Sequence, residues 1–395
     1  MQNGIRKMRK IRVAFFLNLS EEWLGGVNYF KNLLHVITGN QSLNVEPVIF
    51  ISRKANRELL NRFPKIDIIE SDVFKRGTLL WLFNKLSNKI FHYDYYLEYL
   101  LSKYNIDIVS HVSGRLCLSQ IPQIAWIPDF QHKYFPDFFS EIDLKNRDKI
   151  FMELAKFCEC VILSSDDAKK DFISLYPKYA CKAKVLQFVV PFKRFAYIKE
   201  ELLEKYQIKD GFLYIPNQFW KHKNHKVVLQ ALKILKDNGR KDIQVVCSGN
   251  TEDYRNVEYF KEITNYIKDN NLQEQFIVLG RIPYRDVQTL MMECKALINP
   301  SLFEGWNTMV EEAKSLGKRI ILSDLPVHKE QNPPGGIYFD RNNPENLAQA
   351  ISWVLNENND TDSSLINNAE DQLVRRKKIM SNKYRDILEF VIKNE

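Results

Sequence analysis

The feature that most constrains the fold is an alternation of short apolar runs with amphipathic helical stretches, which occurs twice along the 395 residues. In the first half, the runs that read as strands are 12–17, 47–51, 106–111, 123–127 and 160–163. In the second half they are 212–215, 243–247, 276–279, 296–298 and 319–322. Because strands that alternate with helices pair in parallel through crossover connections, the pattern predicts two α/β domains, each built on a parallel sheet.

The junction between the two halves is predicted within 190–211, where a proline and a charged stretch interrupt the alternation. We therefore expect one domain over 1–195 and a second over 196–370. Residues 371–395 are predicted as a C-terminal helix that crosses back to the first domain. The polar stretch Asn356–Ser364 before it is predicted as a surface loop.

Composition limits the class of protein. A hydrophobic share of 45% and a charged share of 27% are typical of a folded globular chain. The formal charge of +8 favours anionic partners such as nucleotides or acidic lipid headgroups. No zinc-finger spacing, long basic block or helix-turn-helix pattern occurs, so a nucleic-acid partner is not expected.

The location of the chain is predicted from its apolar runs and its cysteines. The run Val13–Leu17 is short and lacks a cleavage site, so it reads as a strand and not as a signal peptide. No stretch approaches the ~18 apolar residues of a membrane-spanning helix. The six cysteines form no metal-site spacing, which favours free thiols in a reducing, cytoplasmic compartment.

The most informative segment is 299–313, which reads Asn-Pro-Ser-Leu-Phe-Glu-Gly-Trp-Asn-Thr-Met-Val-Glu-Glu-Ala. A strand is predicted to end at Asn299 and a helix to begin near Thr308. Thr308 followed by Glu311 is the pattern of a capping box, and Gly317 stands where a helix C-terminus is expected.

A strand, a glycine loop and a helix N-terminus in this order form a geometry that binds anions. The first-turn amides lack intrahelical acceptors, and the helix dipole favours negative charge there. Glu304 precedes the helix and Glu312 lies within it, so two carboxylates flank the predicted anion pocket. The alternative is an ordinary capped helix with solvated glutamates.

This segment resembles the signature region of the family 4 glycosyltransferases, in which two glutamates stand in an E-x7-E arrangement matched here by Glu304 and Glu312. The resemblance implies the GT-B fold, in which two Rossmann-like, doubly wound domains face each other across a cleft, and a nucleotide diphosphate sugar as donor. It also implies that Glu304 lies by the donor sugar and that Glu312 holds the ribose. The diphosphate would be held by the backbone of Gly305, Trp306, Asn307, Thr308 and Met309.

The loop after the first strand of the second domain also matches the family. There the family has an Arg and, five residues on, a Lys, both of which neutralise the diphosphate. Lys223 fits the Lys, whereas Gln218 stands at the Arg position, which is a departure from the family pattern. Lys221 or another basic residue could compensate. The alternative for Lys223 is a surface lysine at a helix start.

Two further loops match those that meet the nucleotide and its base in the family. They contain Ser248–Gly249 and Gly280, Arg281 and Ile282. In the first domain, Gly25 and Gly26 stand at the position of the family's N-terminal glycine loop, which closes on the donor phosphates or the acceptor. A plain turn is the alternative there.

A His–Asp pair is common in the first domain of the family, with the His near the reacting sugar. Here Asp129 matches the Asp, but Pro128 occupies the His position. His132, one turn further on, is our candidate for the missing histidine, and His111 is the second. A structural histidine at a strand end is the alternative for both.

Residues 74–91 form a basic amphipathic stretch with no acidic residue. Leu79, Leu82, Phe83, Leu86 and Ile90 share one helical face. A crossover helix packed on its own sheet is the favoured interpretation. The alternative is a peripheral helix on an anionic membrane, which would suit a lipid-linked acceptor.

The resemblance implies a retaining transfer of a hexosyl unit to a glycan or lipid-linked acceptor, as in surface polysaccharide assembly. Catalysis would rest on Glu304, Lys223 and His132. No Asp-x-Asp sequence occurs, so neither a metal nor another cofactor is expected. The alternatives are a nucleotide-sugar epimerase or phosphorylase on the same fold and a non-catalytic sugar-nucleotide binding protein. A dinucleotide-dependent oxidoreductase is disfavoured because no G-x-G-x-x-G follows a strand.

Overall fold

The computed structural model describes residues 9–20, 24–118, 120–192, 194–253, 255–357 and 360–393. The chain forms two compact units. The first contains Met1–Phe130, Glu141–Val189 and Arg375–Glu395, and the second contains Gln131–Ser140 and Val190–Val374. The short segment Gln131–Ser140 therefore belongs to the second unit, although the chain on both sides of it belongs to the first.

The first unit contains a seven-stranded sheet in the order β3-β2-β1-β4-β5-β6-β7, and its pairings are all parallel. The three strands β4, β5 and β6 are buried at every residue, as expected of a parallel sheet covered on both faces. The strands are β1 Ile11–Phe16, β2 Val45–Ile51, β3 Asp67–Glu70, β4 Ile108–Val112, β5 Gln123–Ile127, β6 Cys160–Leu163 and β7 Ala183–Val185.

The helices that follow these strands are α1 Leu24–Gly39, α2 Arg57–Leu60, α3 Leu79–Phe91, α4 Tyr95–Lys103, α5 Gln131–Tyr134, α6 Glu141–Phe157 and α7 Asp166–Leu175. The prediction of a glycine loop at Gly25 and Gly26 is wrong, because both lie in the first turn of α1. The buried side chains of Val27, Leu33 and Ile37 hold this helix on the core, so two glycines at its start do not prevent it from forming.

The favoured interpretation of 74–91 as a helix whose apolar face packs on its own sheet is also wrong. The helix forms as α3, but Leu79, Leu82, Phe83, Leu86 and Ile90 are exposed. Ser87 is its buried residue. No helix within the described ranges is long and apolar enough to cross a bilayer.

The second unit contains a six-stranded sheet in the order β10-β9-β8-β11-β12-β13, again with parallel pairings. The strands are β8 Leu213–Ile215, β9 Val245–Cys247, β10 Phe276–Val278, β11 Ala296–Asn299, β12 Ile320–Ser323 and β13 Gly336–Phe339. The predicted class of two parallel α/β domains is therefore confirmed.

Helices cover both faces of this second sheet. One apolar cluster contains Leu213 and Val245 with the helix that follows β8, and the other contains Tyr214 and Leu297 with the helix that follows β11. The chain winds outward from β8 in one direction and from β11 in the other, so the winding reverses between these two strands. The helices are α8 Lys199–Tyr206, α9 His225–Asp237, α10 Tyr259–Asp269, α11 Tyr284–Glu293, α12 Thr308–Leu316, α13 Pro326–Gln331 and α14 Pro344–Asn356.

The C-terminal helix α15 runs over Asp360–Lys393 and is longer than predicted. It begins inside Asn356–Ser364, so the prediction of a loop there holds at most for the residues before Asp360. Residues up to Val374 belong to the second unit, and Arg375 onward belongs to the first. In the first unit, Tyr384 is fully buried and donates a hydrogen bond to Ser110 Oγ over 3.0 Å.

Candidate active site

The two loops at the reversal of the second sheet bring Lys223 and Glu304 together. The Lys223 loop follows β8 and the Glu304 loop follows β11, and the backbone of Leu302 donates a hydrogen bond to the carbonyl of His222 over 2.8 Å. Lys223 Nζ lies 2.5 Å from Glu304 Oε1. Ligands of open α/β sheets bind at this point, outside the carboxyl ends of the strands.

The Glu304 carboxylate is held from two sides. Ser301, which is fully buried, donates from Oγ to Glu304 Oε1 over 2.6 Å, in addition to the Lys223 ammonium. The side chains of Lys223 and Glu304 are only 15% and 11% exposed. The ion pair therefore lies in a partly water-excluded site, where charge interactions are stronger than at the surface.

The N-terminus of α12 is capped by Asn307 and not by Thr308. Asn307 has extended backbone angles, and its Oδ1 accepts a hydrogen bond from Val310 N over 3.2 Å. The predicted capping box of Thr308 and Glu311 is therefore wrong, because Thr308 is already the first helical residue. Asn is as good an N-cap as Thr, so the sequence alone placed the helix start one residue late.

The helix end was predicted correctly. Gly317 adopts a left-handed φ of 67° after Leu316. A Cβ atom at Gly317 would overlap the backbone carbonyl of Leu365 and come within 2.7 Å of Ile366 Cα, both in α15. The end of α12 thus lies directly against the backbone of the first turns of α15.

Gln331, at the end of α13, holds the start of α12 and was not predicted as a site residue. Its Oε1 accepts from Asn307 N over 3.1 Å, and its Nε2 donates to Asn307 O over 3.0 Å. Nε2 also lies 3.2 Å from Glu311 Oε1, which receives Lys314 Nζ at 3.1 Å. Glu311 is fully buried, so these polar partners compensate its loss of water.

These hydrogen bonds show which backbone amides of the predicted phosphate loop are already bonded within the protein. The Asn307 amide donates to Gln331 and is therefore engaged within the protein. The amides of Thr308 and Met309 open the helix, where no intrahelical acceptor exists for them. Gly305 and Trp306 lie in the bend before the cap and are half-buried.

Glu312 faces the loop that follows β10. Tyr284 donates from its hydroxyl to Glu312 Oε1 over 3.2 Å. Desolvation of the hydroxyl, on a residue that is 56% exposed, and the nearby Glu312 carboxylate raise the pKa of Tyr284 above its usual value. Arg281 in the same loop is exposed and Ile282 is half-buried.

The loops after β8, β9 and β10 meet at Gly249. Its amide donates to the carbonyl of Gly280 over 2.9 Å. Gly249 has a φ of 153°, and a Cβ atom there would overlap the carbonyl group of Asn217 and come within 2.8 Å of Gln218 Cα. Only glycine fits this close approach of two backbones.

The departure at Gln218 leaves an exposed neutral side chain where the family has a cation. Arg255 lies close to the same loop, with its guanidinium 4.8 Å from the Trp220 ring and 3.2 Å from Asp253 Oδ1. Lys221 also belongs to this region, and its Nζ lies 5.8 Å from the Phe138 ring. Arg255 was not predicted as a site residue, because its proximity depends on the course of the loop after β9.

The two candidate histidines lie in different units. His132 belongs to α5 in the second unit, where it is 2% exposed and its ring centroid lies 6.4 Å from that of Phe139. His111 belongs to the first unit and is hydrogen-bonded at both ring nitrogens, 2.8 Å from Tyr29 OH and 2.8 Å from Ser110 Oγ. Burial lowers the pKa of His111 to about 3, so it is neutral at physiological pH.

The remaining predicted residues, Gly25, Gly26 and Asp129, lie in the first unit, where Asp129 is half-buried. In the second unit, His328 is fully buried and donates from Nδ1 to the carbonyl of Ser323 over 2.9 Å. Burial lowers its pKa. Within the part of the chain that the structure describes, no group of three or more His, Cys, Asp or Glu side chains is placed to hold a metal ion.

Known proteins resemble this chain in sequence. Residues 198–372 match the model of the family described as glycosyl transferases group 1. The chain is 23% identical over 233 residues to the O-antigen chain mannosyltransferase RfbU of Salmonella typhimurium, across 59% of this chain and 60% of that protein. It is 27% identical over 192 residues to the N,N'-diacetylbacillosaminyl-diphospho-undecaprenol alpha-1,3-N-acetylgalactosaminyltransferase of Campylobacter jejuni, across 45% of this chain and 48% of that protein. The matches thus span about half to three fifths of these relatives' length.

The fold extends further than the sequence similarity. A glycosyltransferase structure from Rickettsia africae superimposes with a TM-score of 0.69 at 19% identity, covering 98% of this chain and 100% of that one. The likeness agrees with the two Rossmann-like units described above and identifies the fold as GT-B. Residues 198–372 are therefore similar to the group 1 glycosyl transferases, within a chain of GT-B fold.

Proposed function

We propose that this chain is a retaining, family 4-like glycosyltransferase that moves a hexosyl unit from a nucleotide diphosphate sugar to a glycan or lipid-linked acceptor in surface polysaccharide assembly. The observation that carries the proposal is the Lys223–Glu304 pair, 2.5 Å apart at the reversal of the second sheet and next to the start of α12. A cation, a carboxylate and helix amides at one point suit a sugar joined to a diphosphate.

The names of the relatives support the substrate class. The Salmonella protein's name specifies an O-antigen chain and a mannosyl group. The Campylobacter protein's name specifies a diphospho-undecaprenol acceptor and an N-acetylgalactosaminyl group. For this chain we propose the reaction class that the two names share, the addition of a sugar to a surface glycan or to its lipid-linked precursor. The six cysteines are free thiols, which fits a cytoplasmic reaction.

The leaving group is the nucleoside diphosphate, whose negative charge grows as its bond to the sugar breaks. We propose that Lys223 and the first-turn amides of Thr308 and Met309 stabilise this charge, because they are fixed in place before the reaction. Gly305, Trp306 and Asn307 shape the turn that brings these amides to the phosphates. A divalent metal is not needed in this scheme.

The two glutamates would have different tasks. Glu304 orients the donor sugar and supports positive charge on its ring, and we do not assign it as a nucleophile. Glu312 binds the ribose, with the Tyr284 hydroxyl fixing its carboxylate. Gly249, Arg281 and Ile282 contact the nucleotide, and Gln218 contributes a neutral hydrogen-bonding group to the same loop cluster.

Of the two histidines, we favour His132 as the one near the reacting sugar. Its segment packs beside the Glu304 loop, since the ring centroids of Tyr134 and Phe303 are 5.1 Å apart. His111 has both ring nitrogens engaged inside the first unit. Gly25, Gly26 and Asp129 of the first unit are proposed to contact the donor phosphates or the acceptor.

A donor panel tests the proposal directly. A nucleotide sugar that binds the native state at a hundred times its Kd raises the free energy of unfolding by about 2.7 kcal/mol, which a thermal-shift measurement detects. With that donor, Glu304→Ala and Lys223→Ala should each lower the transfer rate about 10²- to 10³-fold with the fold intact. Glu345→Ala, at an exposed glutamate of α14, is the matched control. Wild-type rates in either site variant would overturn the assignment.

The same assay separates the other reactions that this fold could support. Sugar conversion without an acceptor would indicate an epimerase, and consumption of free phosphate would indicate a phosphorylase. Donor binding without release of nucleoside diphosphate would indicate a binding protein. Transfer that persists in excess EDTA supports the metal-independent scheme, and its loss there refutes that part of the proposal.

A further inference from the structure

Helix α3 is attached to the first unit by its polar side and not by its apolar side. Asn84 Nδ2 and Asn88 Nδ2 each donate to Asp94 Oδ1 over 3.0 Å, and Ser87 Oγ donates to the carbonyl of Tyr93. Asp94 Oδ2 in turn accepts from Cys117 N over 2.8 Å. These contacts fix the rotation of the helix about its axis.

The consequence is an apolar face that is directed to solvent. Leu79 is 86% exposed, Phe83 is 55% exposed and Ile90 is 63% exposed. Further large exposed side chains continue the face through the end of α3 into α4, namely Leu82, Leu86, Phe91, Tyr95 and Tyr99. We call these eight residues the α3–α4 surface. Apolar side chains at this density on one face are unusual for a surface that meets only water.

The helix that carries this surface is well formed without any partner. Thr78 Oγ1 accepts from Trp81 N over 3.2 Å and so caps the N-terminus. His92, with a φ of 53°, ends the helix, and its amide donates to the carbonyl of Asn88. The apolar face is therefore displayed on a preformed helix, and binding does not need to pay for folding it.

The exposed charges within 75–103 have a single sign. Lys85, Lys89 and Lys103 are exposed, as is Arg76, and Lys75 is half-exposed. The two acidic residues within 75–103 are Asp94 and Glu98, and both are buried. Asp94 is engaged as described above, and Glu98 accepts from Gln120 N over 3.1 Å.

We propose that the α3–α4 surface docks this protein on an anionic lipid bilayer. Apolar side chains flanked by lysines suit the interface, where the side chains enter the acyl boundary and the ammonium groups meet lipid phosphates. Trp81, whose ring lies 4.9 Å from Lys85 Nζ, and the exposed Tyr95 and Tyr99 are residue types that favour the headgroup level. The docked helix lies in the plane of the interface and does not span the bilayer.

Charge is the reason for choosing a membrane over a second copy of this chain. A symmetric dimer would place the same patch against itself, so the basic residues of the two copies would face each other. An anionic bilayer instead neutralises every one of them. This inference goes beyond the transfer reaction and does not depend on it, because the surface lies outside the proposed donor site.

Vesicle flotation tests the proposal without requiring any activity. The full chain is mixed with vesicles of phosphatidylcholine alone or with 30 mol% phosphatidylglycerol, and the floated fraction is measured at low and high salt. We expect flotation with the anionic vesicles, a marked decrease at high salt and little flotation with the neutral ones. Because each basic residue near the surface contributes about a fivefold factor, Lys85→Ala and Lys89→Ala together should weaken binding roughly 25-fold.

The apolar contribution is tested by the double variant Leu82→Glu/Phe83→Glu, which should abolish flotation. Ile142→Glu is the matched control, because Ile142 is 72% exposed on α6 beside acidic residues of the same unit. Equal thermal unfolding temperatures and equal donor binding show that the variants are folded.

Three results would overturn the proposal. One is wild-type protein that remains in solution with anionic vesicles. Another is a Leu82→Glu/Phe83→Glu variant that floats as wild type does. The third is a wild-type protein that is dimeric without lipid and becomes monomeric in this variant, which would assign the surface to self-association. Sugar transfer without flotation would refute the docking surface but not the proposed reaction. Flotation without sugar transfer would refute the proposed reaction but not the docking surface.

Discussion

The Lys223–Glu304 ion pair makes a prediction that separates donor binding from catalysis. In the structure, Glu304 forms an ion pair with the Lys223 ammonium that we assign to the diphosphate. A nucleoside diphosphate must therefore compete with a carboxylate that lies 2.5 Å from Lys223 Nζ. Glu304→Gln removes the competing charge but keeps the shape and a hydrogen-bonding group. The variant should bind nucleoside diphosphate more tightly and yet transfer sugar more slowly.

The size of the effect follows from the geometry. Unit charges within hydrogen-bonding distance attract by several kcal/mol at an effective dielectric constant of about 20. Desolvation of two side chains that are only 15% and 11% exposed offsets most of this. In Glu304→Gln the nucleoside diphosphate should therefore bind more favourably by about 1–2 kcal/mol, which corresponds to a roughly 5- to 30-fold lower Kd. Transfer should still fall about a hundredfold or more, because the group that orients the sugar has lost its charge.

Isothermal titration calorimetry with nucleoside diphosphate measures the first quantity, and initial rates measure the second. Glu345→Gln, at the exposed start of α14, makes the same change of charge outside the proposed site. It should leave both the nucleotide affinity and the transfer rate unchanged. In a Lys223→Ala background, Glu304→Gln should no longer tighten binding, since the double-mutant cycle removes the coupled partner. Unchanged or weaker nucleotide binding in Glu304→Gln would refute the reasoning.

Three further predictions concern the support of the site. Gly249→Ala should lower the free energy of unfolding by about 2–5 kcal/mol and weaken donor binding, because a methyl group overlaps the Asn217 carbonyl. Gln331→Leu should destabilise the protein by about 3 kcal/mol and raise the donor KM, since it leaves the buried partners at the start of α12 unpaired. The depressed pKa of His111, about 3 against about 6.5 unfolded, makes stability fall as the pH drops below 6.5, by about 2 kcal/mol between pH 7 and pH 5.

Each of these has its own control. Gly280→Ala has a comparable backbone requirement, with a φ of 67°, but meets no atom within 4 Å, so it should cost only about 1–2 kcal/mol. Equal losses in Gly249→Ala and Gly280→Ala would contradict the steric argument. An unchanged donor KM in Gln331→Leu would contradict a positioning role. His111→Asn keeps a residue type that tolerates the left-handed backbone at this position. Urea unfolding of this variant at pH 7 and pH 5 should show a smaller change in the free energy of unfolding than wild type does. An identical change would contradict the assignment to His111.

The fold could be predicted because both sheets are buried on both faces, and burial leaves a strong mark in the sequence. Strands such as β5 and β6 are continuous apolar runs between amphipathic helices. The edge strands β3, β7 and β13 were missed, since they are only three or four residues long and are incompletely buried. The start of α1 was missed because two glycines usually indicate a turn, and tertiary packing of the later turns overrides that preference.

The candidate site was predictable where chemistry is local in sequence and not where it depends on folding. Glu304 and Glu312 share one segment, so a motif identifies them together. Gln331 lies on another helix, and a glutamine at the end of an amphipathic turn carries no sign of the backbone that it will meet. Helix α3 illustrates a related limit, because periodicity defines an apolar stripe but not whether that stripe faces the core or the solvent.

The long helix α15 sets a limit on recombining this chain with its relatives. The match to the group 1 family ends at residue 372, yet the helix continues to Lys393 and its later residues belong to the first unit. A chimera designed to change the donor by exchanging 198–372 would splice two unrelated halves of one continuous helix. Gly317 and its neighbour Leu365 would be exchanged together, whereas Tyr384 and its partner Ser110 would both stay with the recipient. The two contacts that hold the helix would then come from different parents. Exchange points outside α15 keep that helix with a single parent.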